Sequence, residues 1–220
     1  FSKRVQIRYT YIKWETTEST NLGLDFVMFK NKLSGSIDIF NKKTKNMLLK
    51  LPVPISVGLS ESPWANAGTV LNKGIEVYTN YHSKWREFNF NFLLNFSTYQ
   101  NKILSLGGGD PIMGGAQRLG YTTKTMEGHP IGAFFGYVVE GVFQNQKEVD
   151  VINALTPDHG YYQDKLTRPG DFKFKDINGD GEITGEDRTF IGSPHPDFSY
   201  GINLSAEYRH FDFSIFLQGC

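Results

Sequence analysis

The sequence predicts an all-β protein built from long antiparallel strands, and two observations carry this prediction. The first is a period-two alternation of apolar and polar side chains, which is clearest in residues 88–98. The second is the alternation of tight turns with long connections along the chain. Successive side chains of a strand point to opposite faces, so each such segment has one apolar face and one mostly polar face.

Seven segments are predicted as strands: 4–13, 20–30, 33–43, 72–82, 87–99, 198–208 and 211–219. In the fifth segment, the apolar row Phe88, Phe90, Phe92, Leu94 and Phe96 interleaves with the polar row Asn89, Asn91, Asn95 and Ser97. These segments are longer than the short buried runs of parallel sheets. The pattern therefore predicts an antiparallel sheet with one continuously apolar face. Such a face packs on a core in a soluble protein or contacts lipid in a membrane barrel.

The lengths of the connections favour the membrane barrel. Tight turns are predicted at 31–32, 83–86 and 210, and long connections at 44–71 and 100–197. Outer-membrane barrels have short periplasmic turns and longer extracellular loops, whereas loops beyond about 15 residues are uncommon in compact soluble domains. The first connection, 14–19, is an exception because it is short on the presumed outer side. The prediction is a transmembrane antiparallel β-barrel with long extracellular loops.

The composition of the chain limits the classes of function. The 23 basic and 23 acidic residues balance, so no nucleic-acid partner is expected, since such partners normally require clustered Lys and Arg. The single cysteine, Cys220, excludes an intrachain disulfide framework. No apolar run approaches the ~18 residues of a membrane helix. The 18 Phe and 11 Tyr suit the aromatic girdles of a membrane barrel and also a β-sandwich core.

An acidic glycine loop, 176–187, follows the calcium-loop pattern of the EF-hand. Calcium prefers six to eight oxygen ligands, and the glycine at position six supplies the sharp turn. Position twelve is an aspartate instead of a glutamate, which shortens its reach and is more typical of dockerin-type loops. The predicted ligands are Asp176, Asn178, Asp180, Glu182 (through its backbone carbonyl) and Asp187. Calcium would have a structural role here, and a turn stapled by local hydrogen bonds is the alternative.

No catalytic constellation is evident, and we expect the protein not to be an enzyme. The five histidines are scattered, the Gly-x-Ser-x-Gly nucleophile elbow is missing, and the glycine cluster 107–115 lacks the Gly-Lys-Ser/Thr ending of a phosphate loop. A short helix is predicted from Asn145 to Leu155, capped by Asn145 and Glu148. Several loop aromatics are candidates for contact with a sugar ring, a peptide or a partner: Trp64, Tyr121, Phe134, Phe135, Tyr137, Tyr161 and Tyr162.

Four groups of motifs, in order along nearly the whole chain, are shared with a known family: 14–17 with 21–26 and 41–45, then 72–76, then 127–145, and finally 169–219. The third group begins Glu127-Gly128-His129-Pro130-Ile131-Gly132. The last group contains the acidic loop and is the most specific. On these motifs the chain resembles the SusC/RagA family of TonB-linked outer-membrane proteins.

The resemblance implies a large outer-membrane barrel of about 22 strands with a plugged lumen. It also implies energy from the TonB complex, a surface lipoprotein partner of the SusD type, and uptake of oligosaccharides or peptides too large for porins. Residues 1–220 are then expected to be part of the C-terminal TonB-dependent receptor β-barrel domain. The plug and the final strands would lie outside this chain, and 100–197 would form a long extracellular loop region containing 176–187.

A soluble, calcium-stabilised β-sandwich that binds carbohydrate is the alternative interpretation. The two differ in the environment of the apolar face. In a barrel the row of Phe88, Phe90 and Phe92 faces lipid, whereas in a sandwich the same row packs against a second sheet.

Overall fold

The structure, a computed structural model, describes residues 12–50, 64–115, 120–156 and 160–220. The chain divides into two compact units. The sheet unit falls within Phe1–Ile112, Thr125–Ile131 and His195–Cys220, and the loop unit falls within Met113–Lys124 and Gly132–Pro194. None of the helices in the described ranges is long and apolar enough to cross a membrane.

Long strands form the sheet unit, whereas the loop unit has only strands of three or four residues. The described residues form one α-helix, α1 (Gln146–Asn153), and the following strands: β1 Thr16–Met28, β2 Leu33–Lys50, β3 Trp64–Trp85, β4 Phe88–Ser105, β5 Ile112–Gly114, β6 Thr123–Thr125, β7 Ala133–Gly136, β8 Val139–Val142, β9 Phe172–Phe174, β10 Thr189–Gly192, β11 Ser199–Tyr208 and β12 Phe211–Gly219.

The sheet unit is one six-stranded sheet in the order β1-β2-β3-β4-β11-β12. Every neighbouring pair is antiparallel, which confirms the predicted antiparallel sheet. Strands β4 and β11 are hydrogen-bonded neighbours although the loop unit lies between them in sequence. The sheet is therefore an up-and-down meander with one large insertion.

The pairing register gives the sheet one apolar face and one polar face. Residues directly opposite each other share a face; Phe92, for example, pairs with Leu204 on one side and Tyr81 on the other. The apolar face includes Leu22, Leu24, Phe26, Ile37, Ile39, Ile75, Val77, Phe88, Phe90, Phe92, Leu94, Phe96, Ile202, Leu204, Phe213, Ile215 and Leu217. The polar face includes Asp25, Ser36, Asp38, Glu76, Tyr78, Asn80, Asn89, Asn91, Asn95, Asn203, Ser205, Glu207 and Ser214.

Three tight turns lie at one end of this sheet. They join β1 to β2, β3 to β4 and β11 to β12, close to the predicted turns at 31–32, 83–86 and 210. The connection from β2 to β3 and the connection that carries the loop unit both leave from the opposite end. The predicted separation of tight turns from long connections is confirmed for these strands.

Besides the connection predicted at 100–197, which begins later because β4 continues to Ser105, two predicted connections are wrong in their boundaries. The connection predicted at 44–71 is shorter, because β2 continues to Lys50 and β3 begins at Trp64. The pairing of these strands shifts between Thr44 and Met47, and a bulge interrupts the alternation from which a strand is recognised.

The second error concerns 14–19, where Thr16 already begins β1. This end of β1 is polar and pairs with polar residues of β2; the hydroxyl groups of Thr17 and Thr44 are hydrogen-bonded at 2.9 Å. Apolar alternation therefore gave no signal. Most of the first predicted strand, 4–13, lies outside the described residues.

A small apolar core lies on the polar face of the sheet, at the end opposite the tight turns. Val70, Ile103 and Leu106 are buried there, and Ile131 packs against them. The N–H of Gly128 donates to the carbonyl oxygen of Ile103 at 2.9 Å. The amide oxygen of Asn101 accepts from the N–H of Ile131 at 2.8 Å. These bonds fix residues 128–131 beside β4.

The loop unit contains two small sheets and the α-helix. One sheet has the order β10-β7-β6-β5, and the other pairs β8 with β9. Helix α1 confirms the predicted helix, and Asn145 caps it as expected, although Glu148 bonds to the N–H of Gln144 and not to that of Asn145. The side-chain oxygen of Asn145 accepts from the N–H of Glu148 at 3.1 Å, and the Glu148 carboxylate accepts from the N–H of Gln144 at 2.9 Å.

Candidate functional site in the loop unit

Asp187 is the centre of the acidic loop. Its side chain is fully buried, with 0% exposure, and it ends a short 3-10 helix, Gly185–Asp187. One carboxylate oxygen accepts from the N–H of Ile177 at 2.8 Å, and the other accepts from the N–H of Thr184 at 2.7 Å. A buried carboxylate is tolerated when such bonds satisfy it.

The hydrogen bonds that Asp187 accepts also set its protonation state. Burial by itself raises the pKa of this carboxyl, because the charged form loses solvation. The N–H groups of Thr184, Ile177 and Asn178 favour the charged form, and the pKa is lowered from its ordinary value. The side chain is therefore a carboxylate at neutral pH.

The first half of the loop is built in the same way. One Asp176 carboxylate oxygen accepts from the N–H of Gly179 at 2.6 Å, and the other accepts from the N–H of Gly181 at 2.8 Å. Asp180 accepts from the N–H of Glu182 at 2.9 Å. Gly179 and Gly181 both have positive φ, 77° and 88°, the region that glycine enters without strain.

Tyr162 is a buried side chain that is hydrogen-bonded to the acidic loop. The side chain is 7% exposed, and its hydroxyl donates to the carbonyl oxygen of Phe174 at 2.9 Å. The same hydroxyl accepts from the N–H of Asp176 at 3.2 Å. Burial is the main reason that the pKa of Tyr162 is raised, so the phenol keeps the proton with which it donates.

The loop is thus a hydrogen-bonded structure in which backbone N–H groups face carboxylates. In the described part of the chain, no group of three or more His, Cys, Asp or Glu side chains is arranged to hold a metal ion. Each carboxylate oxygen of Asp176 and Asp187 already accepts at least one N–H, although a carboxylate oxygen has a second lone pair. Calcium binding by the predicted ligands stays a prediction.

The seven aromatic candidates occupy different environments. Trp64 belongs to the sheet unit, where the Lys50 ammonium lies 5.3 Å from its ring centroid. Tyr121, Phe134 and Tyr161 are exposed in the loop unit. Tyr162 is buried and packs within the loop unit, so its surface is not accessible to a ligand in this structure. Contact of the other six with a ligand stays a prediction.

Phe135 and Tyr137 take part in a cluster that the sequence did not reveal. The guanidinium carbon of Arg188 lies 5.0 Å from the Phe135 ring centroid and 5.9 Å from that of Tyr137. The Lys124 ammonium lies 4.5 Å from the Phe135 centroid. Arg188 also donates to the carbonyl oxygens of Phe135 and Tyr121. Arg188 lies 67 residues from Tyr121 and 53 residues from Phe135 in sequence, so no local motif identifies the cluster.

The polar face of the sheet unit is a second candidate surface. Asp38 and Glu76 are directly opposite each other, and Asp38 leans over Gly23, where an added Cβ would lie 2.6 Å from its carboxylate. Tyr78 and Asn95 pair on the same face. In a transmembrane barrel the apolar face contacts lipid and the polar face lines the lumen.

Comparison with known families decides between the two sheet architectures. The family described as TonB dependent receptor-like, beta-barrel matches residues 4–218. The chain belongs to this family. The match extends over nearly the whole chain, which confirms the expected barrel and does not favour the soluble sandwich. It also places the protein in the outer membrane.

Individual relatives agree with this assignment. TonB-dependent receptor P3 of Formosa agariphila is 35% identical over 212 residues, covering 94% of this chain and 20% of the relative. TonB-dependent receptor SusC of Bacteroides thetaiotaomicron is 27% identical over 213 residues, covering 94% of this chain and 19% of the relative. The chain therefore spans about a fifth of the length of these relatives, and the predicted SusC-like character is confirmed.

A solved structure shares the fold. The structure of the RagAB peptide transporter matches 93% of this chain and 21% of its own chain, with a TM-score of 0.68 and 20% sequence identity. The six-stranded sheet is accordingly an open section of a larger barrel. That the plug and the final strands lie outside residues 1–220 stays a prediction.

Proposed function

We propose that the protein of which this chain is a part imports large nutrients across the outer membrane with energy from TonB. The observation that carries the proposal is the family match over residues 4–218, together with a sheet whose apolar and polar faces suit lipid and lumen. The proposed cargo is an oligosaccharide or a peptide. The proposed partner is a surface lipoprotein of the SusD type, and no catalytic step is involved.

The two units would contribute differently to uptake. The polar face offers carboxylates, hydroxyl groups and amides, such as Asp38, Glu76, Tyr78 and Asn95, to a hydrated ligand in the lumen. The loop unit is inserted at the end opposite the tight turns, which is the extracellular end in outer-membrane barrels. Its exposed aromatics, together with Trp64, are proposed to contact the ligand or the lipoprotein.

Uptake by cells tests the proposal. A host strain lacking the full-length gene is compared with the same strain carrying it on a plasmid, with fluorescent oligosaccharides and fluorescent peptides of the same size range. We expect gene-dependent uptake of one of the two classes, and its loss when TonB is depleted. Uptake that persists without TonB, or that is absent for both classes, contradicts the proposal. Purification of the tagged full-length protein shows whether a surface lipoprotein accompanies it.

We also propose that calcium orders the acidic loop in the assembled protein. Support comes from the order of Asp176, Asn178, Asp180 and Asp187 around Gly181, since calcium offsets the repulsion among carboxylates held in one turn. The test is limited proteolysis of the full-length protein, read by mass spectrometry. Chelation of calcium and the double substitution Asp176→Ala/Asp180→Ala should both increase cleavage in this loop. Identical cleavage with calcium and with chelator contradicts the ion site.

A further inference from the structure

We propose that two neighbouring hairpin turns of the sheet unit form a binding site for the phosphate group of a glycerophospholipid. The turns are 85–88, between β3 and β4, and 208–211, between β11 and β12. They lie side by side because Phe88 pairs with Tyr208 in the ladder of β4 and β11. Trp85 and Phe211 extend the same cross-strand row, so an aromatic row marks this level of the sheet.

Each turn stacks an arginine on the aromatic residue before it. The guanidinium carbon of Arg86 lies 5.4 Å from the Trp85 ring centroid, and that of Arg209 lies 5.3 Å from the Tyr208 ring centroid. A stacked guanidinium is preorganised, and its planar fork matches the oxygens of a phosphate group. The two turns therefore present two oriented phosphate-binding groups at the same level.

The backbone of both arginines is also unusual. Each has a φ of 55°, although glycine is the favoured residue where the first central position of a two-residue hairpin has positive φ. Positive φ also occurs at Phe29, Lys30 and Asn31 in the turn between β1 and β2, so this backbone conformation is shared by all three tight turns. What sets the two adjacent turns apart is that each has an arginine, stacked on an aromatic ring, at the same position.

Charge and shape agree with an anionic ligand. Arg209 donates to Glu87 at 2.5 Å, whereas Arg86 makes no ion pair within the described ranges. Two guanidiniums and one carboxylate leave one positive charge without a partner. A cavity of about 580 Å³ is lined by the turn residues Trp85, Arg86, Glu87, Phe88, Tyr208 and Arg209.

The position of the site in the membrane identifies the ligand as a lipid. Trp85, Phe88 and Tyr208 belong to the apolar face, and aromatic girdles of outer-membrane barrels lie at the level of the headgroups. Tight turns lie at the periplasmic end, so the adjoining leaflet is the inner one. A glycerophospholipid can place its phosphate on the guanidiniums and its acyl chains along Phe88 and Phe90. A soluble phosphate has no group to bury on these rings.

Binding of phosphatidylglycerol to the full-length protein in detergent, measured by native mass spectrometry, tests the site. Arg86→Gln and Arg209→Gln should each weaken binding roughly fivefold, and the double substitution by more, since one basic group near anionic lipid contributes about that factor. Lys84→Gln is the matched control. This substitution also removes one positive charge close to Trp85, but the Lys84 side chain lies on the polar face of the sheet. Lipid binding should therefore be unchanged.

Two further arms separate the lipid from other anions. Diacylglycerol with the same acyl chains should bind more weakly than phosphatidylglycerol, and inorganic phosphate should not displace the lipid. Unchanged affinity in the double variant, an equal loss in Lys84→Gln, or displacement by inorganic phosphate would each overturn the proposal. The heat-dependent gel mobility of folded barrels confirms assembly of each variant. Arg86→Gln leaves the ion pair between Glu87 and Arg209 in place. If the double variant does not assemble, lipid binding by this single variant is the test.

Discussion

A single carboxylate organises the acidic loop. Asp187 is fully buried and accepts N–H groups from both halves of the loop, at Ile177 and Thr184. Removing one partner of a buried hydrogen bond lowers the stability of the fold, because the remaining polar group is left buried with neither water nor protein to bond to. The loop therefore depends more on Asp187 than on its exposed acidic neighbours, although all of them belong to the same motif.

We expect Asp187→Asn to open this loop. The amide keeps the size of the side chain, but its NH₂ group faces an N–H donor that needs an acceptor, at a cost of about 1–3 kcal/mol. Limited proteolysis of the full-length protein, read by mass spectrometry, should show new cleavage in and around the loop. Glu186→Gln removes a neighbouring charge from an exposed side chain and should behave like the parent protein. Equal cleavage of both variants would contradict this role of Asp187.

The lowered pKa of Asp187 predicts the pH dependence of the same loop. A carboxyl whose folded pKa is below its unfolded value stabilises the fold above the unfolded pKa and loses this contribution as pH falls through the folded pKa. Hydrogen exchange of the loop amides should therefore stay slow down to about pH 4 and become relatively faster below it, after correction for intrinsic rates. Asp187→Asn should weaken this dependence.

At the scale of the strands, aromatic rings cover glycines on neighbouring strands. The ring of Phe40 lies over Gly74, where an added Cβ would be 2.7 Å from the ring and 2.4 Å from the carbonyl oxygen of Thr98. The ring of Phe26 covers Gly35 in the same way. Glycine in a strand costs stability unless close packing requires it. At Gly74 and Gly35 the absence of a side chain leaves room for the aromatic ring of the neighbouring strand.

Gly74→Ala and Gly201→Ala form a matched pair that tests this packing. Both glycines lie inside long strands, but the Cβ at Gly201 would be in ordinary contact, 3.7 Å from the Phe216 ring. We expect Gly74→Ala to reduce the yield of assembled barrel, since backbone must move, and Gly201→Ala to be neutral. Heat-dependent gel mobility in outer-membrane preparations measures the assembled fraction. Equal yields would show that the ladder absorbs the added methyl group.

The two faces of β4 are predicted to respond differently to charge. Phe90→Arg places a guanidinium on the apolar face and should impair insertion by about 2–4 kcal/mol if the residue lies near the bilayer midplane. Asn91→Arg, one residue further, points to the polar face and should be tolerated. Assembly of the full-length protein in outer membranes is the measurement. A similar loss in both variants would show that the lipid and lumen faces are wrongly assigned.

At the scale of the whole molecule, the six-stranded sheet is an open section of a barrel. In the described ranges, β1 and β12 each pair on one side only, and the apolar face exposes large side chains such as Leu22, Phe213 and Leu217. Lipid offers no partners for the N–H and C=O groups of a strand edge. The relatives are about five times longer than this chain, which is consistent with further strands closing the barrel.

We therefore expect the isolated 220-residue chain not to form a stable soluble monomer. Its open edges and apolar face should lead to aggregation in water and to a requirement for detergent. Size-exclusion chromatography and thermal unfolding followed by circular dichroism measure this. A monodisperse monomer with one cooperative transition would contradict the open-barrel interpretation and favour a soluble sheet.

The elements that local periodicity can reveal were predicted correctly. Alternation around Phe88–Phe96 and in the last two strands identified β4, β11 and β12, and the cap at Asn145 identified α1. Prediction failed where local pattern carries no information. The polar end of β1 pairs through residues such as Thr17, and the bulged ends of β2 and β3 extend beyond their alternation.

The sequence by itself determined the strand class, the two-faced sheet, the acidic loop and the family, because each is encoded in neighbouring residues. Only the tertiary structure decided that β4 pairs with β11 and that Asp187 is buried. It also decided that Arg188 and Lys124 stack on Phe135, and that the turns carrying Arg86 and Arg209 adjoin. These contacts join residues far apart along the chain, and chain entropy opposes each one until the whole sheet register is formed.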